Sequence, residues 1–267
     1  MVRAAIEETL YVFEVRVDNM RCETALERIR GYISHRSGQG TRKIFFTNVH
    51  SIHLARRDPA LRHRINHADL VLPDGSGLDL AGRLFGAPII ENLNGTDFSV
   101  KILQEAERSG WTVYLLGARE SVIERCRESF QLQYPRLKVI GTHHGYFSKE
   151  EEQLILRDIN TLKPDILFVA LGTPLQEEWL SDRAHELDAG VCLGVGGLFD
   201  FISRRRSRAP LWMRRSGIEW IHRFVQDPKS KWERVFIEIP SFLMRLLVSR
   251  LAIKRTKPAV VRTRVLI

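Results

Sequence analysis

Short apolar runs rich in Val, Ile and Phe recur along the chain, and between them apolar residues return at helical spacing. The runs predict strands over Leu10–Val17, Lys43–Thr47, Leu70–Leu72, Thr112–Leu116, Leu137–Thr142, Asp165–Ala170 and Val191–Gly194. The periodic stretches predict helices over Arg21–Ser34, Pro59–Asn66, Gly77–Phe85, Asp97–Ser109, Ser121–Tyr134, Ser148–Thr161 and Pro174–Leu187. Such alternation implies an α/β fold, a Rossmann-like body over residues 1–200 whose mostly parallel sheet carries helices on both faces. Ligands of these sheets sit beyond the carboxyl ends of the strands, so residues just after each strand are the first candidates for chemistry.

Residues 201–267 read differently. Trp232, Val235, Phe236, Ile239, Phe242, Leu243, Leu246 and Leu247 recur at helical spacing, while Lys231, Arg234, Arg245, Arg250, Lys254 and Arg255 supply positive charge. Pro240 is expected to kink or interrupt this helix, and Lys257–Ile267 to be frayed. The net charge of +9 is concentrated here: 17 Lys and Arg against 4 Asp and Glu give +13, which leaves −4 for residues 1–200. A basic amphipathic helical C-terminal appendage on an acidic body fits either an anionic membrane surface or a core-facing helix with a solvated basic side.

Several classes are excluded. No apolar run approaches the roughly 20 residues that cross a bilayer, and Glu7 and Glu8 stand where a secretory signal is apolar, so a cytoplasmic protein is expected. Cys22, Cys126 and Cys192 are odd in number and far apart, which argues for buried thiols over disulfides or structural zinc. His63 and His67 lie four apart without an H-E-x-x-H motif, so no metal site is expected.

Four constellations can carry chemistry. The strand ending in Leu72 is followed by Asp74, Gly75 and Gly77, which places a carboxylate at the sheet rim either as a general base or as a helix cap. Thr47, Asn48, His50 and Ser51 follow another strand, as sugar ligands or as ordinary caps. After Asp165–Ala170 come Gly172, Pro174, Gln176 and Glu177, where a helix N-terminus can seat a phosphate. Gly117 in LGARE, and Gly196 and Gly197 in GVGG, are further candidate phosphate contacts. Finally, Arg204–Arg208, Arg214, Arg215 and Arg223 supply guanidinium groups suited to a diphosphate, or form a solvated basic loop.

These segments together resemble the WecG/TagA/CpsF glycosyltransferases, also called glycosyltransferase family 26. The blocks are TNVHS (47–51), LPDGSG (72–77), NLNGTDF (92–98, with Asn94), LLGA (115–118), YP…GTHHGYF (134–147), PDILFVALGTPLQEEW (164–179), GVGGLFDF (194–201) and RAP…IEWIHRF (208–224). The resemblance implies an inverting, metal-independent transferase of cell-surface or exopolysaccharide synthesis, peripheral on the inner membrane face. It implies a UDP-sugar as donor and co-substrate, a polyprenyl-diphosphate-linked sugar as acceptor, and no metal or other cofactor. By the same resemblance Asp74 is the base and Asn48 lies at the acceptor. Gln176 and Glu177 form a polar pair, and Arg208, Arg215 and Arg223 close over the diphosphate.

Two rival readings remain at this point: a nicotinamide oxidoreductase using Gly75, Gly77 and Asp97, and a nucleic-acid-binding protein using the basic tail. The second is disfavoured because aromatic and aliphatic residues interleave the charges, a pattern suited to lipid. Exposed apolar tail surface makes a homo-oligomer another expectation.

Overall fold

In the structure, a computed structural model, residues 7–36, 40–253 and 264–265 are described; for Arg215, Ile253, Arg264 and Val265 only the backbone is. The chain opens with an antiparallel hairpin, β1 (Glu8–Val12) and β2 (Val15–Asn19). A single strand over Leu10–Val17 is thereby corrected. Phe13 and Glu14 both take positive φ, 49° and 64°, and reverse the chain without the Gly or Asn that usually marks such a turn.

Six strands then form one parallel sheet: β3 (Arg42–Thr47), β4 (Leu70–Pro73), β5 (Thr112–Gly117), β6 (Lys138–His143), β7 (Ile166–Ala170) and β8 (Val191–Gly194), in the order β4-β3-β8-β7-β5-β6. Their side chains alternate between two dry layers. Ile44, Leu70, Leu115, Phe168 and Leu193 point to one layer, against α1 (Cys22–Ser34), α5 (Gly95–Ser109) and α6 (Glu120–Gln133). Phe45, Val71, Leu116, Val169 and Cys192 point to the other, with α2 (Val49–Arg57), α3 (Pro59–Asn66), α4 (Ser76–Leu84), α7 (Lys149–Leu162) and α8 (Leu175–Arg183). The Rossmann-like expectation is therefore met. Each fully buried Leu, Val, Ile or Phe of these layers contributes about 1.5–3 kcal/mol relative to an exposed one.

Beyond β8 the chain folds back as α9 (Leu198–Ile202), α10 (Leu211–Arg215), α11 (Glu219–Gln226) and α12 (Pro228–Glu233). A π-helical turn over Arg234–Glu238 joins α12 to α13 (Ile239–Ile253). The regular helical pattern is interrupted just before Pro240 by this π-helical turn, at the place where the proline ring would clash with the carbonyl four residues back. One stripe of α13, Phe242 and Leu246, is buried in the second core layer, and Phe242 meets Phe13 edge-on at 5.6 Å. The other face, with Leu243, Met244, Leu247, Val248 and Leu251, is exposed. Within the segment expected to fray, Arg264–Val265 form a short strand, β9, parallel to β1; the rest of 257–267, with Lys254 and Arg255, lies outside the described residues.

Candidate functional site

The register of the sheet builds the site. Thr47 of β3 is paired with Pro73 of β4, so the residues that follow each strand, Asn48 and Asp74, emerge side by side. Asn48 Nδ2 donates to Asp74 Oδ2 at 3.2 Å, while Asn48 Oδ1 accepts from the backbone of His50 and Ser51 and so caps α2. Asn48 is thus both cap and site residue. Asp74 is not a cap: the N-cap of α4 is Gly75, at φ +100°, a conformation side chains rarely adopt. The turn turns Asp74 toward a cavity of about 250 Å³ at the carboxyl ends of β3, β4, β7 and β8.

Burial raises the pKa of Asp74, opposed by the positive charge of Arg223 and by the Asn48 hydrogen bond, with Glu219 adding to the rise and Arg234 opposing it. Asp74 still reaches the cavity and is only half-buried by exposed surface. Such a carboxylate holds a proton more tightly than usual and remains open to a ligand, which is what a general base needs.

Gly172, Thr173 and Gln176 form a second wall, Gly194, Gly196 and Gly197 a third. Gln176 Oε1 accepts from Gly196 N at 2.9 Å, and a Cβ at Gly194 would come within 3.0 Å of the Gln176 amide. Glycine there lets the β8 loop lie against α8. Glu177, 1% exposed, accepts from Gln176 Nε2 and Thr173 Oγ1 at 3.0 Å each. Burial pushes its pKa up to about 7, and its second carboxyl oxygen has no hydrogen-bond partner.

The fourth wall comes from the C-terminal segment: Arg206, Arg223, Lys231 and Arg234. Arg223 pairs with Glu219 at 2.7 Å and Arg206 with Asp227 at 2.7 Å. Lys231 forms no ion pair among the described residues, and burial lowers its pKa. Sequence reasoning missed Arg206 as a distinct site residue and assigned Lys231 and Arg234 to the tail's basic rim. Their place on the cavity depends on how the chain folds back, which helical spacing does not encode. His50, one of the candidate sugar ligands after β3, lies on the cavity with Nδ1 2.9 Å from Glu238, a contact across the chain that local sequence does not encode.

Other sequence candidates lie off the cavity wall. Thr47 is 1% exposed, its hydroxyl unpartnered and its carbonyl accepting from Asp74 N. Asn94 caps α5 and donates to Asp97 at 2.9 Å. Gly117 passes close to the backbone of Ala170. Arg208 pairs with Asp97 at 2.8 Å and stacks over Phe201 behind the wall. The side chain of Arg215 lies outside the described residues. Asp97, the ribose ligand of the oxidoreductase reading, sits in the first turn of α5 with its carboxylate taken by Arg208, Arg214 and Asn94.

No helix among the described residues is long and apolar enough to cross a membrane. The Glycosyl transferase WecG/TagA/CpsF family model matches residues 10–256. Two curated proteins of Staphylococcus aureus, from strains MW2 and NCTC 8325 / PS 47, are each 30% identical over 250 residues, covering 92% of this chain and 95% of theirs. Both are named N-acetylglucosaminyldiphosphoundecaprenol N-acetyl-beta-D-mannosaminyltransferase. With a rim carboxylate facing a cationic wall, and with nearly its whole length matched, the chain belongs to the WecG/TagA/CpsF glycosyltransferase family.

Proposed function

We propose that this protein transfers a sugar, with inversion, from a UDP-sugar to a polyprenyl-diphosphate-linked sugar during synthesis of a cell-surface polysaccharide. The observation that supports this most is the placing on one cavity of the Asp74 carboxylate with four basic side chains, Arg206, Arg223, Lys231 and Arg234; the other carboxylate on its wall, Asp200, is paired with Arg205. Half-buried cations gathered on one wall, with Lys231 in no ion pair among the described residues, favour an anionic ligand, and a nucleoside diphosphate is the anion a glycosyl donor brings. Asp74 takes the proton of the acceptor hydroxyl as its oxygen attacks the anomeric carbon. The bond from that carbon to the phosphate oxygen breaks, and its electron pair leaves with UDP. The basic wall stabilises the charge that develops on the departing diphosphate, so the proposed step needs neither a metal nor another cofactor.

The acceptor class follows the names of the relatives, each of which acts on an N-acetylglucosaminyldiphosphoundecaprenol. The reading divides the chain into a catalytic body, residues 1–200, and an appendage, residues 201–267, that closes the site. The apolar face of α13 would rest on the anionic inner face of the cell membrane, where a lipid-linked acceptor resides. Purified protein offered a panel of UDP-sugars with a short-chain polyprenyl-diphosphate sugar should release UDP with one donor only when acceptor is present. No acceptor-dependent release with any donor would reject the reading.

A further inference from the structure

Glu238 lies 188 residues from His50 in the chain, yet its carboxylate, 4% exposed, accepts from the His50 ring. It stands at the end of the π-helical turn, and both of its oxygens are 2.9 Å from His50 Nδ1. Its Oε2 is also 3.9 Å from Nε of Arg234 at the other end of that turn. Burial acts to raise the pKa of Glu238, but the His50 hydrogen bond and the nearby charges outweigh it, and the carboxyl is held below its usual range. An ionised carboxylate only accepts, so Nδ1 carries the hydrogen. Nε2 is then the ring nitrogen left for a ligand, and His50 itself lines the cavity beside Asn48 and Asp74.

Arg234 lines the same cavity and is close enough to Asp74 to pull its pKa down. One buried carboxylate therefore contacts two walls, a histidine ring whose other nitrogen is left for a sugar hydroxyl and a guanidinium near the base. Resting on the proposed transferase reading, we infer that Glu238 is a positioning residue of the reaction, fixing the His50 ring to bind a sugar hydroxyl and Arg234 beside Asp74 when the C-terminal segment is seated. At metal sites such a carboxylate partner holds the tautomer and ring orientation of a histidine, and its loss costs about 10- to 100-fold; the same orienting contact is expected to act here.

The test uses full-length protein, one UDP-sugar donor found by the screen and a short-chain lipid-diphosphate acceptor. Glu238→Gln should lower kcat/KM for the acceptor by about 10- to 100-fold while thermal unfolding shows a folded protein. Glu238→Asp, which keeps the charge, should recover part of that loss. His50→Ala combined with Glu238→Gln should lose less than the product of the single losses, because both act through one contact. Unchanged kinetics in Glu238→Gln would overturn the inference. So would losses that multiply fully in the double variant, or a deficit that vanishes once activity is scaled to the folded fraction. Asp74→Asn measured alongside separates the two levels: an inactive Asp74→Asn beside an unaffected Glu238→Gln rejects the role of Glu238 alone, whereas an active Asp74→Asn rejects the transferase mechanism itself.

Discussion

Asn48 and Asp74 are joined at 3.2 Å by a hydrogen bond that the pairing of Thr47 with Pro73 brings within reach. The donor cannot drift, because the other end of the same amide caps α2. A neutral donor on a half-desolvated carboxylate stabilises the ionised form without cancelling its charge. Asp74 is thereby kept available as a base while burial keeps its proton affinity above that of an ordinary aspartate.

Replacing Asp74 by Asn should lower the turnover by about 10²–10⁴-fold, the usual contribution of a positioned base. UDP affinity should change little, since the carboxylate is expected to contact the acceptor rather than the diphosphate. The pair of measurements is single-turnover transfer and UDP titration. A variant that still turns over, or one that loses UDP binding in parallel, removes Asp74 from the proposed role.

The pH profile follows from the same carboxylate. The base must be ionised, and its pKa is raised above 3.8, so kcat/KM should fall as pH drops through a limb lying above the ordinary aspartate range. Asn48→Ser keeps a helix-capping oxygen but removes the donor to Asp74. That donor lowers the pKa, so its loss should move the limb to still higher pH. A limb that stays in place, or moves down, contradicts the assignment of the limb to Asp74.

Much of the frame was legible because a parallel sheet buried on both faces demands continuous apolar runs such as Ile166–Ala170, and these are visible in a string of letters. Asp74 was legible for a related reason: it follows such a run and precedes a glycine that allows the turn. The hairpin was hidden because Phe13 and Glu14 adopt positive φ without the residues that favour it. Helix α2 was missed because only Ser51, Ile52 and Ala55 of Val49–Arg57 are buried, too few for a clear period. Lys231 and Arg234 were read as a membrane rim because local spacing shows that a helix has a basic side, but not what that side faces.

Lys231 provides a sharp test of the cationic wall. Its ammonium is desolvated and lowered in pKa, and it forms no ion pair among the described residues, so its charge has more to gain from a bound diphosphate than that of an exposed lysine. Lys231→Ala should weaken UDP binding by about 10-fold or more, as expected for a hydrogen bond to a charged group worth about 1.5–3 kcal/mol. Exposed Lys229 nearby provides the control, and Lys229→Ala should leave the affinity unchanged. Equal effects from the two, read by calorimetry, would mean that only the general field of the tail matters.

Glu177 should leave its mark on stability rather than on the pH profile of the base. Its folded pKa of about 7 exceeds the ordinary 4.5, so the native state binds its proton more tightly than the unfolded chain. Stability from this group is fully present below about pH 4.5 and is lost as pH rises through about 7, a loss of about 3 kcal/mol. Glu177→Gln removes the titration. Its melting temperature relative to the parent should therefore climb between pH 5 and pH 8, and a constant offset across that window would show that Glu177 does not carry the proton.

Helix α13 divides two tasks between opposite faces, and substitutions can separate them. Phe242 and Leu246 are 5% and 2% exposed and hold the segment that carries Arg234 and Glu238 onto the body. Phe242→Ala should cost about 3–5 kcal/mol of stability and lower transfer to every acceptor, because the seat of the cationic wall is loosened. Leu247 and Leu251 lie on the exposed face, where they bury nothing that folding needs. Leu247→Asp with Leu251→Asp should therefore leave the melting temperature and transfer to a short soluble acceptor unchanged, but weaken sedimentation with anionic vesicles and transfer to a long-chain acceptor in them. Vesicle binding that survives both charges would place the lipid contact elsewhere, and a drop in the soluble assay would show that this face also supports the fold.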